Sequence, residues 1–248
     1  MAVRARPITV PRTLLLQVWD VEELGDPHPV LGGFELYIAR SRADAFTHAC
    51  WQALTGLGLA EDTTLTREFG LMLRVLSSPD RELYCWSAHA DDRQDRRFLF
   101  CAAGGEATAM QVRGEVVSIV PVEEHRLLEQ FIDELPEFPP APGSELTIAE
   151  REFERHDESG NLFSSGPDPV SELTQQLEAP REAIHQIYVA RTLGGTLRRS
   201  RPFSVIDISE EGRVLVFVDG QDHLHRLPGT PMNLAKTLAA TWRVMAPR

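Results

Sequence analysis

The sequence predicts an α+β protein in which two antiparallel strand meanders join into one central sheet covered by helices. Three observations lead to that prediction. The order helix, helix, proline, four strands, helix is legible twice along the 248 residues, which gives the chain a pseudo-twofold internal repeat. Glycine-bearing turns separate the strand-like runs: Gly104-Gly105 and Arg113-Gly114 in one half, Gly194-Gly195, Glu211-Gly212 and Asp219-Gly220 in the other. A content of 42% hydrophobic and 25% charged residues is that of a globular chain able to bury a core. A lone meander would leave strand edges and an apolar face bare, so the two are expected to share one sheet.

The elements follow in order. A helix is expected from Ser41, with Ser41 and Asp44 as a capping box and Phe46, Cys50, Ala53, Leu54 and Leu57 at helical spacing before Gly56 and Gly58 stop it. A second helix carries Leu65, Phe69, Met72, Leu73 and Leu76 on one stripe and ends at Pro79. Strands are expected at 82–88, 97–102, 107–112 and 115–120, then a helix burying Leu127, Leu128, Phe131 and Leu135. Residues 137–143 are proline-dense and read as a linker, dividing one domain (1–248) into halves of about 1–136 and 144–248.

Beyond it the pattern restarts. Thr147 and Glu150 form a second capping-box pattern before a charged helix reaching about His156, and 156–167 reads as a polar loop. Asp168-Pro169 starts a helix with Val170, Leu173 and Leu177 on its stripe, and Pro180 ends it. Strands are expected at 183–192, 203–209, 213–218 and 223–227, and Thr230-Pro231 opens a closing helix bearing Leu234, Leu238, Trp242 and Met245.

Charge and motif content then narrow the function. With 25 basic against 37 acidic residues the net charge is −12, the wrong sign for a nucleic-acid partner, and the cluster Arg198, Arg199, Arg201 is too small to reverse it. Lys236 is the only lysine. No run of eighteen apolar residues is present, so no membrane insertion is expected, and the apolar run 14–19 lacks a signal-peptide cleavage pattern. Cys50, Cys85 and Cys101 are an odd set without paired spacing, which fits a reducing cytoplasm.

His223 and His225 share a strand face, but two imidazoles without further ligands read as a solvated edge strand rather than a metal site. His156, Asp157 and Glu158 are consecutive in a polar stretch, where nothing tunes them for acid–base work. Ser164 and Ser165 lack the glycine frame of a nucleophile elbow, and the glycine pairs complete neither a P-loop nor a dinucleotide fingerprint. The expectation is no catalytic residue, no metal and no cofactor, although a small hydrolase or transferase could still assemble from scattered His and Asp residues.

Two stretches carry a family resemblance. One is 41–83, with Arg42, Ala43, Cys50-Trp51, Leu57-Gly58-Leu59 and the run 73–83 leading through Pro79 into a strand. The other is 179–245, with the strand 181–191, the basic turn 194–202, and Asp207 followed by the turn Gly212-Arg213. Together these resemble the EspG family of chaperones for type VII (ESX) secretion substrates. Residues 179–182 depart from the family pattern, and 1–40 and 156–167 match little.

The resemblance implies one α/β fold with a central antiparallel sheet flanked by two helical bundles. It also implies a non-enzymatic, cytoplasmic role, binding the helical tip of a PE–PPE heterodimer and keeping it soluble. The contact would lie on the sheet and the C-terminal helical bundle, which places the candidate binding residues at Val205, Asp207, Arg213, Leu215, Phe217, Asn233, Lys236 and Trp242. A monomer or weak dimer is expected, with an adaptor dimerising through its sheet as the structural alternative.

Overall fold

The computed structural model describes residues 7–33, 38–159 and 169–246. The chain opens with β1 (Ile8–Pro11), α1 (Arg12–Val21), α2 (Ala43–Gly56), the short pair β2 (Ala60–Glu61) and β3 (Thr64–Leu65), and α3 (Arg67–Ser77). A meander follows: β4 (Arg81–His89), β5 (Arg96–Ala103), β6 (Glu106–Arg113) and β7 (Val116–Val122), then α4 (Leu127–Asp133). Next come β8 (Leu146–Ala149), α5 (Glu150–Ser159), α6 (Pro169–Glu178) and β9 (Arg181–Leu193). The chain ends with β10 (Thr196–Arg199), β11 (Phe203–Ile208), β12 (Gly212–Val218), β13 (His223–Pro228) and α7 (Pro231–Val244).

Among the described residues eleven strands form one sheet in the order β1-β7-β6-β5-β4-β9-β11-β12-β13-β8, with β10 paired to β9, as the joined meanders predict. By Cα proximity the chain divides into two units: Met1–Tyr84, Arg96–Leu127 and Arg191–Leu197, and then Cys85–Asp95, Leu128–Ala190 and Arg198–Arg248.

In the first unit β5, β6 and β7 are antiparallel neighbours, Leu99 facing Met110 and Met110 facing Ile119, all three buried. The turn between β5 and β6 uses Gly104 and Gly105, both at positive φ, the geometry that lets a two-residue loop follow the twist of its strands. Helix α3 lays Phe69, Met72, Leu73, Val75 and Leu76 on these strands. Its stripe begins at Phe69, because Leu65 belongs to the β2–β3 pair. Helix α2 begins at Ala43 behind a short 3-10 turn, with Arg42 at the N-cap and no side-chain cap, so the expected Ser41 box does not form. Its C-terminus is closed as Gly58 predicts: at φ +71° Gly58 donates to Thr55, and Leu59 donates to Leu54, which satisfies the last carbonyls. The run 14–19, unassigned from sequence, is the buried face of α1.

In the second unit β9, β11, β12, β13 and β8 pair antiparallel, with Val205 opposite His185 and Leu215, and Phe217 opposite Phe203 and His225. One face of this ladder, Ile206, Ile208, Val214, Val216, Leu224 and Ile148, packs with Val170 and Leu173 of α6, and Phe153 of α5 leans on the same cluster. The second capping box also gives way to a strand. Thr147 sits in β8, and α5 runs to Ser159, so the expected loop is helical over its first four residues; the rest of it, and Asp168, lie outside the described residues. The last helix does cap as expected: the Thr230 hydroxyl accepts from the Asn233 amide, with Pro231 in the first turn. Helix α7 buries Leu234 and Leu238, while Trp242 is half-buried.

The proline-rich residues 137–143 dock against β12. Ala141 donates to the Arg213 carbonyl, and Arg213 donates to Pro139 at 2.6 Å. Gly229 donates to the same Arg213 carbonyl at 2.7 Å, and a Cβ on Gly229 would collide with Arg213 Cγ. Gly229→Ala is therefore expected to lower stability by about 1–3 kcal/mol through overpacking. Gly220→Ala, where a Cβ meets nothing within 4 Å, should change it by less than about 0.5 kcal/mol. Urea denaturation midpoints of the two variants check this.

Candidate partner-binding face

Strand β9 shows the pattern of a sheet with one closed and one half-open face. Ala183, His185, Ile187 and Val189 are buried, while the alternating Ile184, Gln186 and Tyr188 are only partly covered.

The closed face carries polar residues inside an apolar layer. Arg213 on β12 makes two bonds to Asp207 on β11, Nε to Oδ1 at 2.5 Å and Nη2 to Oδ2 at 2.7 Å. Asp207 Oδ2 also lies 3.2 Å from His185 Nε2, and Ser87 Oγ lies 2.8 Å from His185 Nδ1. A carboxylate only accepts, so Nε2 carries the proton and Nδ1 accepts from the Ser87 hydroxyl. The Arg213 guanidinium also lies over the Phe138 ring, 5.9 Å from its centroid. All four polar residues are buried. Burial pushes the His185 imidazole below its ordinary pKa and outweighs the raising pull of Asp207. Burial pushes the Asp207 carboxyl up, but the hydrogen bonds and charge of Arg213 and His185 win, so it lies below the usual carboxylate value.

Of the residues expected from the resemblance, Val205, Asp207, Arg213 and Leu215 are buried on this closed face. Phe217 is half-buried, stacked on His225 at 4.9 Å and tilted against Phe203 at 5.5 Å. Asn233 is half-buried at the start of α7, its amide donating to Pro228 at 2.9 Å, and Lys236 is exposed on that helix.

His225 bonds Asp219 through Nε2 at 2.9 Å and Thr147 through Nδ1 at 3.1 Å. The His225 bond, with the backbone amides of His223 and Gln221, holds the Asp219 carboxyl at about 2. The two histidines are thus turn fasteners, and β13 is interior, paired on its other side by β8. Among the described residues no group of three or more His, Cys, Asp and Glu is placed to hold a metal ion.

The half-open face holds residues that the sequence reading passed over. Trp86 of β4 and Tyr188 of β9 meet edge-to-face, ring centroids 5.4 Å apart and perpendicular. The Arg199 guanidinium lies over the Tyr188 ring at 5.4 Å, and Gln186 donates to Ser204 at 3.0 Å beside them. Trp86, Gln186, Tyr188 and Ser204 are all half-exposed, and Arg198 and Arg199 are exposed. The available signal was phase: the aromatics fall between buried positions, Leu83, Cys85 and Ser87 in β4 and Ala183, His185, Ile187 and Val189 in β9.

The closed-face network has a pH signature. The His185 pKa is lowered in the folded chain, so below its ordinary value of 6.5 the unfolded chain takes up a proton first. Stability is full above that pH and falls as acid is added; the Asp207 contribution persists until pH drops below 3.8. Urea titrations from pH 8 to pH 5 should show this first loss in the native chain and a flatter profile in His185→Gln. Asp207→Ala, which strands the Arg213 charge, should cost about 3–5 kcal/mol at neutral pH.

The fold agrees with the comparisons. The chaperone EspG5 of the Mycobacterium tuberculosis type VII secretion system, solved in complex with a PE25-PPE41 dimer, superposes with a TM-score of 0.69 at 18% identity. That likeness covers 94% of this chain and 95% of EspG5, and it establishes a shared fold. No curated protein matches the chain. The profile of the EspG family matches residues 13–240, so the chain belongs to the EspG family.

Proposed function

We propose that the chain is a non-enzymatic, cytoplasmic chaperone that binds a PE–PPE-type heterodimer and keeps it soluble for type VII (ESX) secretion. The observation that carries this reading is the family match across residues 13–240, joined to a fold shared with a chaperone solved holding such a dimer. No helix of the described residues is long and apolar enough to cross a membrane.

The half-open face supplies a contact suited to the task. Trp, Tyr and Arg are the residues enriched where protein interfaces concentrate their energy, because each offers a large contact area with a polar handle. Trp86, Tyr188 and Arg199 present all three side by side on a hydrogen-bonded sheet. Within this proposal Val205, Asp207, Arg213 and Leu215 support the strands from behind. Phe217, Asn233, Lys236 and Trp242 form the alternative contact, on β12 and α7.

An enzymatic reading would rest on the Ser87–His185–Asp207 line. The Ser87 side chain is buried, and the hydroxyl is already bonded to the imidazole. That favours a structural role.

Co-expression with PE–PPE pairs encoded beside the gene should yield a soluble complex. Trp86→Ala and Tyr188→Ala should each weaken it by about 2 kcal/mol or more, roughly thirtyfold in Kd, with unchanged circular dichroism. If these variants bind normally while Phe217→Ala and Trp242→Ala do not, the contact lies on the α7 side. Lys236, as the only lysine, gives an independent check: amine-directed cross-linking to cargo through it reports an α7 contact. Failure of every neighbouring pair to bind or be solubilised would sink the chaperone reading.

A further inference from the structure

We propose that Asp219-Gly220 is the chain's site of isoaspartate formation, and that His225 guards it by pinning the Asp219 carboxylate. The sequence marks the place: this is the only Asp-Gly pair in the chain, and no Asn-Gly pair is present. Glycine leaves the attacking amide uncrowded, and a Cβ built on Gly220 would meet nothing within 4 Å. The turn joins β12 to β13, with Asp219 half-buried and Gly220 exposed to the water that the second step consumes. The site is independent of the partner reading.

The reaction is internal to the chain. The Gly220 backbone nitrogen attacks Asp219 Cγ, a C–N bond forms, and the Cγ–OH bond breaks. The amide proton and the hydroxyl depart as water, leaving a five-membered succinimide. Water then reopens the ring. Addition at the side-chain carbonyl restores aspartate. Addition at the main-chain carbonyl leaves the chain running through Cβ and Cγ, one methylene longer, with a free carboxylate on Cα. The neutral acid is the form that closes the ring, because an ionised carboxylate has no hydroxyl to lose.

The folded turn opposes ring closure in two ways. Asp219 Oδ1 accepts from the backbone N–H of Gln221 at 2.8 Å and of His223 at 3.0 Å, and Oδ2 accepts from His225 Nε2 at 2.9 Å. These bonds fix the carboxylate as an Asx turn, whereas closure has to bring Cγ onto the Gly220 nitrogen. All three favour the ionised form, the His225 bond most, and so keep the carboxyl in its unreactive state. His225 is itself held in place: Phe217 stacks on its ring at 4.9 Å, and Thr147 Oγ1 lies 3.1 Å from Nδ1. Nε2 carries a proton both in the neutral tautomer that bonds Asp219 and in the imidazolium, so the guard does not depend on the charge of the ring. Glu145, 3.6 Å from His225 Nδ1, and His223, whose Nδ1 is 3.7 Å from Asp219 Oδ1, flank the pair.

Peptide mapping of the full chain aged at neutral pH, with isoaspartate located by electron-transfer fragmentation, tests both parts. The native chain should form isoaspartate at Asp219 more slowly when folded than in urea, by about tenfold or more, and this comparison needs no variant. In the folded state His225→Phe, which keeps a ring against Phe217 but has no N–H, should raise the rate about tenfold, the share that one hydrogen bond to a charged group releases. His225→Gln, whose amide still donates, should stay near the native rate. Adding Gly220→Ala to His225→Phe should suppress the product by crowding the amide. Circular dichroism checks that the variants are folded. Equal rates for the folded chain and the chain in urea overturn the guard. So does a His225→Phe rate equal to the native one, or a His225→Gln rate equal to that of His225→Phe. Isoaspartate arising chiefly at another residue overturns the site.

Discussion

The ion pair between Asp207 and Arg213 is the constraint from which the second unit is built. Two charges taken out of water cost several kcal/mol each unless geometry and further hydrogen bonds return it. Here the return is spread over the surrounding chain. The carboxylate takes both fork nitrogens of Arg213 and the His185 N–H, and the guanidinium rests on Phe138. The Arg213 backbone meanwhile bonds Pro139, Ala141 and Gly229. One residue thereby joins β11, β12, the proline-rich segment and the approach to α7. The close packing this requires leaves no room for a side chain at Gly229 or at Gly212, where a Cβ would meet the 140–141 backbone at 2.8 Å.

The sheet's other face is open only in part: α6 packs on it over Ile206, Val214, Val216 and Leu224, and Ile184 of β9 leans on the same cluster. Farther along β9 the stretch around Gln186, Tyr188 and Ser204 stays half-exposed. This stretch carries Trp86 and Tyr188 packed edge-to-face, with Arg199 lying over the Tyr188 ring. Rigid strands also limit the side-chain and loop ordering a partner would otherwise have to impose on binding.

Strand and helix existence was legible because burial in this fold follows simple periods: two along β9, and 3.6 along α3 and α7. The two capping boxes fail for different reasons. Ser41 and Thr147 are capping residue types at box spacing, but at Ser41 a 3-10 turn moves the helix start to Ala43, and at Thr147 pairing with β13 takes the residue into a strand. At Thr147 tertiary pairing overrides local propensity. The side-chain clusters were harder to read because contact across strands depends on register. Nothing in the chain places Trp86 beside Tyr188, or His185 between Ser87 and Asp207; only the hydrogen-bonded ladder does so. The proline density of 137–143 marked a segment without regular structure, but its docking on β12 through Arg213 is a tertiary fact.

The line Ser87, His185, Asp207 shows how far residue types alone can mislead. The three groups of a hydrolytic triad are present within hydrogen-bond reach, and a search by composition would select them. Their surroundings argue for a different role. Asp207 is already neutralised by a two-pronged arginine, so its charge is shared rather than free to stabilise an imidazolium. Burial favours the neutral form of His185, which opposes the proton uptake a general base must perform. The serine hydroxyl is packed within the sheet, with Cys85 Sγ 3.6 Å away. Each of these features disfavours catalysis, and each also strengthens the contact between β4, β9 and β11. The polar residues of the closed face are best understood as fasteners that fix strand register.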